Sequence, residues 1–329
     1  MEIQIKKAIL HILDLSSECP LISNSLLDIS DSCIENFIVS HINKIIYDPN
    51  SKNAMINKNC DIHALLRGLN NNFEYNIEII AQKLFCILKE QNNIPNSDVL
   101  FVLFEADNVM QLAIIKLNYS KKYTHYIQQD GNGISNKIIQ HQAIYPATNQ
   151  KIDEAAIINL HDNSVLLIEK EYFIDGEKQK YFSNKFLNVE TSISPKESLK
   201  IMNNITNEMS HKYFNGDFRK QNDVKEVIYK SASINAEIEI DTVANKVFGN
   251  NETVKKEYIA ELKKSGIKDK IKMVQLKIPY KKFKLKTDTG IELNIPMDLY
   301  RDKNSLEVLN NPDGTYSIII KNIAKIQNQ

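Results

Sequence analysis

Two apolar runs, VLFVLFEA (99–106) and VMQLAIIKL (109–117), are separated only by Asp107-Asn108. A two-residue connection cannot carry a chain to a parallel neighbour, so these runs must pair antiparallel. Asp and Asn also tolerate the positive φ that a tight hairpin turn requires. The pattern recurs downstream. Segments near 123–129 and 134–144 flank Asp130-Gly131-Asn132-Gly133, and AAIINL (155–160) and SVLLIE (164–169) flank His161-Asp162-Asn163. Asp175-Gly176 marks one more reversal. The opening IQIKKAILHIL predicts another strand, with His11 as a core residue. Helices are predicted between these strands. Ile34, Phe37, Ile38, Ile42 and Ile45 make one apolar face that also carries His41, and Ser32 and Glu35 have capping-box spacing before it. Ile77, Ile80, Ala81, Leu84 and Leu88 recur at helical spacing over 77–88. Hairpins with segregated helices predict an α+β domain, a meander-like antiparallel sheet with helices on one face.

After Phe186-Leu187-Asn188 the pattern turns helical. Ser194-Pro195-Lys196-Glu197 is a helix start, with Ser194 as N-cap and Pro195 in the first position. Further helices are predicted near 222–233, over 241–248 ending at Gly249, and over 251–262 ending at Gly266. Val243, Ala244, Val247 and Phe248 of the third are placed to pack on Val254, Tyr258, Ile259 and Leu262 of the fourth. Two short helices followed by basic strands are compatible with a helix-turn-helix carrying a wing. The chain closes with strands at GIELNIP (290–296), near Leu306–Leu309, and at TYSIIIKNI (315–323) after Asn311-Pro-Asp-Gly314. The predicted domains are an acidic α+β domain over 1–190 and a basic domain over 191–329, helical at first and then a small antiparallel sheet.

The chain is neutral overall, with 41 basic and 41 acidic side chains. The balance is unevenly spread. Residues 1–180 hold 16 basic and 22 acidic side chains, a net of −6, and residues 181–329 hold 25 and 19, a net of +6. Such asymmetry points to an anionic partner for the second half. The excess concentrates between Lys263 and Lys286, which contains ten lysines and one acid, Asp269. The lysines are Lys263, Lys264, Lys268, Lys270, Lys272, Lys277, Lys281, Lys282, Lys284 and Lys286. Apolar residues alternate with the charge, first at Leu276, Ile278 and Tyr280, then at Phe283 and Leu285. Lys282, Lys284 and Lys286 therefore share one strand face, and the change of parity predicts a bulge or break at Lys281–Lys282. Fixed cations at strand spacing displace counterions from a nucleic-acid backbone, so these ten are the candidate DNA-binding residues. The plainer alternative is a solvated face on a lysine-rich chain that has only three arginines, Arg67, Arg219 and Arg301.

The sequence offers no catalytic set. It lacks GxxxxGK[ST], HExxH and GxSxG, and the Gly131-x-Gly133 pair has no third glycine and no following helix. No cofactor is expected. Cys60-Asp-Ile-His63 has ligand-like spacing without a partner pair, and Cys19, Cys33, Cys60 and Cys86 form no CxxC, so no metal site is expected. Glu105, Asp107, Glu169 and Glu171 would be the acids of a metal-dependent nuclease, the least favoured alternative. No apolar run approaches bilayer length and no leader pattern opens the chain, so a reducing cytoplasm and no membrane partner are expected. A protein-interaction scaffold recruiting a partner through the acidic half is the other alternative. A homodimer stays open.

Four stretches carry a family resemblance: AILHIL with His11, the hairpin FVLFEADNVMQLAIIKL, the Phe186-Leu187 junction, and the closing strands GIELNIP and YSIIIKNIAKI. In order, spacing and length the chain resembles the 37-kDa nucleoid-associated protein family of bacteria over nearly its whole extent. At the junction Asn188 stands where a glycine is expected. The resemblance implies a non-enzymatic protein of the nucleoid that binds double-stranded DNA. It transfers no DNA-contacting positions.

Overall fold

The chain runs through β1 (Ile3–Leu13), α1 (Ser32–Ile46), β2 (Lys52–Met55), α2 (Asp61–Arg67), α3 (Phe73–Lys89), β3 (Ser97–Ala106) and β4 (Val109–Asn118). It continues with β5 (Ser120–Asp130), β6 (Gly133–Ile144), β7 (Glu154–Asn159), β8 (Ser164–Ile168), β9 (Tyr172–Ile174) and β10 (Glu177–Gln179). The structure is a computed structural model, and it describes every residue except 1, 92, 131–132, 175, 216–217, 235, 250, 274–277, 301 and 326–329. The chain divides into two compact units, Met1–Ser194 and Pro195–Gln329.

The first unit is built on a six-stranded sheet in the order β1-β3-β4-β7-β8-β2. All its pairings are antiparallel, so the α+β reading holds. Asp107 and Asn108 take φ of 50° and 61°, the pair of positive values that turns a hairpin in two residues. Two expectations are corrected. Helices cover both faces of the sheet, not one. Val99, Phe101 and Leu103 pack into the core that holds Phe73, Ile77 and Leu84 of α3, whereas Leu100, Val102 and Phe104 pack with Ile38, Ile42 and Ile45 of α1. The cause is visible in β3 itself, whose consecutive apolar residues leave neither face for water. The second correction concerns β5 and β6, which among the described residues pair only with each other and leave the sheet, so that β4 pairs directly with β7.

Helix α1 is capped one residue earlier than its sequence implies. The Cys33 backbone N–H donates to the Asp31 carboxylate at 2.8 Å, so Asp31 rather than Ser32 is the N-cap. Helix α3 begins four residues before the predicted 77, with Phe73 buried.

His11 is fully buried on β1, where its Nδ1 accepts the Ser23 backbone N–H at 3.1 Å. That bond assigns the proton of the neutral ring to Nε2, which has no partner among the described residues. Burial pushes its pKa down to about 4. A histidine that resists protonation when folded binds fewer protons than the unfolded chain. Its stabilisation is therefore intact above about pH 6.5 and is lost as pH falls from there towards 4. Denaturant titrations over that window are expected to show a loss on the order of 3 kcal/mol. His11→Asn, which keeps an acceptor and cannot titrate, should flatten that part of the profile. An unchanged slope in the folded variant would show that other groups govern it.

The first unit ends in a π-helical turn, Phe182–Leu187, closed by Asn188 in the left-handed region at φ 52° and ψ 55°. Glycine meets that conformation without a Cβ penalty, and asparagine is among the few other residues that tolerate it. Asn188 therefore holds a backbone conformation that the expected glycine would also adopt.

The second unit runs through α4 (Pro195–Phe214), α5 (Phe218–Ile234), β11 (Glu237–Glu239), α6 (Ile240–Phe248) and α7 (Glu252–Lys264). It closes with β12 (Lys270–Lys272), β13 (Lys282–Lys286), β14 (Glu292–Pro296), a 3-10 turn at Met297–Leu299, β15 (Leu306–Asn310) and β16 (Tyr316–Ile320). The four helices share one core, and the predicted α6–α7 packing is present, with the Phe248 and Tyr258 rings 5.0 Å apart. The remaining strands form three two-stranded ribbons, β11–β12, β13–β14 and β15–β16. A smaller cluster around Phe283, Ile295, Met297 and Leu306 joins the last two.

Candidate nucleic-acid interface

The candidate surface starts from the alternation in β13. Phe283 is buried and Leu285 half-buried, and the register pairs them with Ile295 and Leu293 of β14. This apolar side is anchored by the Tyr300 ring, 4.4 Å from that of Phe283. The alternation leaves Lys282, Lys284 and Lys286 exposed on the opposite face. The Met297 backbone N–H donates to the Lys281 carbonyl at 3.0 Å, which extends the pairing past Lys282. At the far end Thr287 closes the hairpin, its N–H bonded to the Ile291 carbonyl at 2.9 Å.

The chain turns at Pro279–Tyr280 and bends at Lys281, so the break expected at Lys281–Lys282 begins two residues earlier and ends where β13 starts at Lys282. Tyr280 takes φ 57°, uncommon for an aromatic residue, and its hydroxyl accepts from Asn203 Nδ2 of α4 at 2.5 Å. Its ring packs against both cores of this unit. Tyr280 thus re-aims the chain between the lysines before it and those on β13. Asn203 carries no signal in the sequence for this role.

The ten candidate lysines are not equivalent. Lys263 pairs with Asp269 at 2.8 Å, and Lys264 with Glu261 at 3.8 Å. Lys270 lies between Glu237 at 3.6 Å and Glu239 at 3.0 Å, and the neighbouring Lys272 stands opposite Glu237 in the β11–β12 register. The Glu239 carboxylate raises the pKa of Lys270, and Asp269 raises that of Lys263. The face of β11–β12 is therefore close to neutral. Lys286 pairs with Glu292 at 2.9 Å, both largely exposed. Lys268, Lys272, Lys281, Lys282 and Lys284 are exposed and make no ion pair among the described residues. Lys277, with Leu276, lies outside the described residues. The contiguous unpaired cations are Lys281, Lys282 and Lys284.

The α7 surface is more balanced. Asn251 is occupied as the helix N-cap, accepting the Val254 N–H at 3.2 Å. Glu252 pairs with Lys255, and Glu257 pairs with Lys212 of α4 at 2.6 Å. The outward face of this helix is salt-bridge-laced and carries no cationic row.

The four carboxylates of the nuclease alternative do not form one cluster, although Glu105 and Asp107 line a common cavity beside Glu2. Glu105 pairs with Lys6 at 2.8 Å, Glu169 with Lys52 at 3.3 Å and Glu171 with Lys180 at 3.2 Å. Asp107 belongs to the β3–β4 turn. Among the described residues no group of three or more His, Cys, Asp or Glu is placed to hold a metal ion, and the four cysteines are unpaired. No helix among the described residues is long and apolar enough to cross a membrane.

Fold and surface together define a two-unit α+β protein in which the second unit, Pro195–Gln329, holds 24 basic and 18 acidic side chains, an excess of +6. The chain belongs to the family described as nucleoid-associated protein YejK, which matches residues 9–327. It is therefore a nucleoid-associated protein of bacterial type, and a DNA-binding role fits that class. No curated protein matches the sequence.

Proposed function

We propose that this protein binds double-stranded DNA in the nucleoid, largely without sequence preference, through lysine–phosphate contacts made by its second unit. The observation that carries this reading is the run Lys281, Lys282 and Lys284, exposed and without an acidic partner among the described residues, the last two on a strand held from behind by Phe283. Alternate residues on a strand stand about 6.7 Å apart, close to twice the axial rise of about 3.4 Å between phosphates on one DNA strand. Each lysine that meets a phosphate releases condensed counterions. Base reading is not built into this surface, because arginine is the commonest bidentate reader of guanine and the stretch contains none. The reading assigns binding and no reaction.

The test is duplex affinity of the intact chain across a salt series. Five unpaired lysines predict that log K falls against log salt with a slope of about −4.5, from about −0.9 per contact. The slope should be the same for unrelated duplex sequences, since phosphate contacts position a protein without reading bases. Absence of duplex binding at low salt would return these lysines to a solvated face and favour the scaffold reading.

A further inference from the structure

The β5–β6 ribbon is a long, separate hairpin. Its strands pair with each other and with no other described strand, and none of its described residues is buried. Eleven and twelve residues at about 3.4 Å each give an arm on the order of 35–40 Å long. A two-stranded hairpin standing alone in water is marginally stable at best. This one is nonetheless firmly rooted. Tyr119, just before β5, and Tyr145, just after β6, both donate their hydroxyls to the carboxylate of buried Asp98 on β3, one to each oxygen.

The register sorts its side chains into two unlike faces. Tyr123, Ile127, Ile134 and Ile138 share one face, and they are 72%, 58%, 70% and 81% exposed. Tyr123 and His125 are the titratable residues there, and along the regularly paired stretch, 123–129 with 134–140, no Lys, Arg, Asp or Glu falls on that face. The charged Lys122 and Lys137 lie on the opposite face. The four form a diagonal row, each opposite a polar residue of the other strand (Gln140, Asn136, Gln129 and His125), and an exposed apolar row of this kind marks an association site.

We propose that the apolar face of this ribbon docks on the same face of a second copy of the chain, forming a two-fold symmetric dimer. The chemistry selects that occupant. A nucleic acid or a charged peptide finds no Lys, Arg, Asp or Glu along the regularly paired stretch of this face, whereas a second copy presents the same apolar row, flanked by the same Gln and Asn side chains, at identical length. Such self-matching is what an isologous contact requires. Four large side chains at on the order of 150 Å² each give about 600 Å² per arm. Two arms give about 1,200 Å², the lower end of the area that a stable interface buries. Lys122 and Lys137 stay outside the contact and in water.

The experiment is sedimentation equilibrium of the full chain, with the Ile134→Lys/Ile138→Lys variant and a Lys137→Gln control on the other face. Wild type and the control are expected to approach twice the chain mass of 37.8 kDa at micromolar concentration. The double variant places charges in the contact and is expected to dissociate at least tenfold more readily. Both replaced residues are exposed, so its far-UV circular dichroism should match wild type; if it does not, Ile127→Glu serves as the readout. A monomeric wild type at tens of micromolar, or a dimer indifferent to these changes, overturns the proposal. A monomeric wild type whose double variant loses DNA affinity overturns it as well and assigns the arm to DNA. The lysine–phosphate reading is judged separately, because Lys137→Gln and the apolar variants leave the β13 lysines intact.

Discussion

Replacing Lys282, Lys284 and Lys286 together with Gln is expected to reduce duplex affinity on the order of a hundredfold near 0.1 M salt and to shrink the salt slope by about two units, most of it from Lys282 and Lys284. The three side chains stand on one exposed face of β13, and Gln keeps much of each stem while removing the charge. The loss should be alike for unrelated duplexes. Folding should be little affected, since the strand is anchored by Phe283 and Leu285 on its other side. Lys286 should contribute least, because Glu292 at 2.9 Å already partners it. Lys286→Gln alone therefore separates contact from mere proximity: its effect should be smaller than that of Lys284→Gln. Competition binding at several salt concentrations checks both statements. An unchanged slope in the folded triple variant would rule these lysines out as the contact surface. Loss of sequence discrimination on changing Thr253 or Lys256 of α7, with the triple variant silent, would instead place a helix in the groove.

Lys116→Met is expected to destabilise the first unit by about 3–5 kcal/mol. Lys116 on β4 and Glu154 on β7 are cross-strand neighbours with fully buried side chains, Nζ to Oε2 at 3.4 Å. Burial pushes the lysine pKa down, and the neighbouring Glu154 carboxylate opposes that shift. Asn118 extends the network. It accepts from Lys116 and donates to Asp153 at 3.2 Å and to Glu154 at 3.3 Å. Deleting the lysine leaves a buried carboxylate whose main countercharge is gone, and this desolvated remnant sets the size of the loss. Lys116→Met/Glu154→Gln should recover much of it, because neither charge is then stranded. Urea denaturation of the two variants measures the difference. Equal destabilisation of single and double variants would show that packing, not charge, is what the pair supplies.

Local chemistry determined much of this protein. Asp107-Asn108 and His161-Asp162-Asn163 specify hairpins because only a few residue types accept positive φ, and that preference acts within two or three residues. The alternation of Lys with Phe and Leu along β13 was equally readable, since a strand has a period of two whatever surrounds it. Family membership was legible through the order of such segments. What tertiary structure alone decided is which surfaces remain available. VLFVLF in β3 is buried on both sides because helices separated from it in sequence arrive on both. The β5–β6 hairpin reads like the others, yet it leaves the sheet, because β4 takes β7 as its neighbour and Asp98 gathers the tyrosines at both ends of the arm. The lysine stretch reads as a single cluster, but Glu237 and Glu239, some thirty residues upstream, come to lie beside Lys270. Charge counts along a chain cannot register such pairing, because Coulomb attraction depends on distance in space and not on separation in sequence.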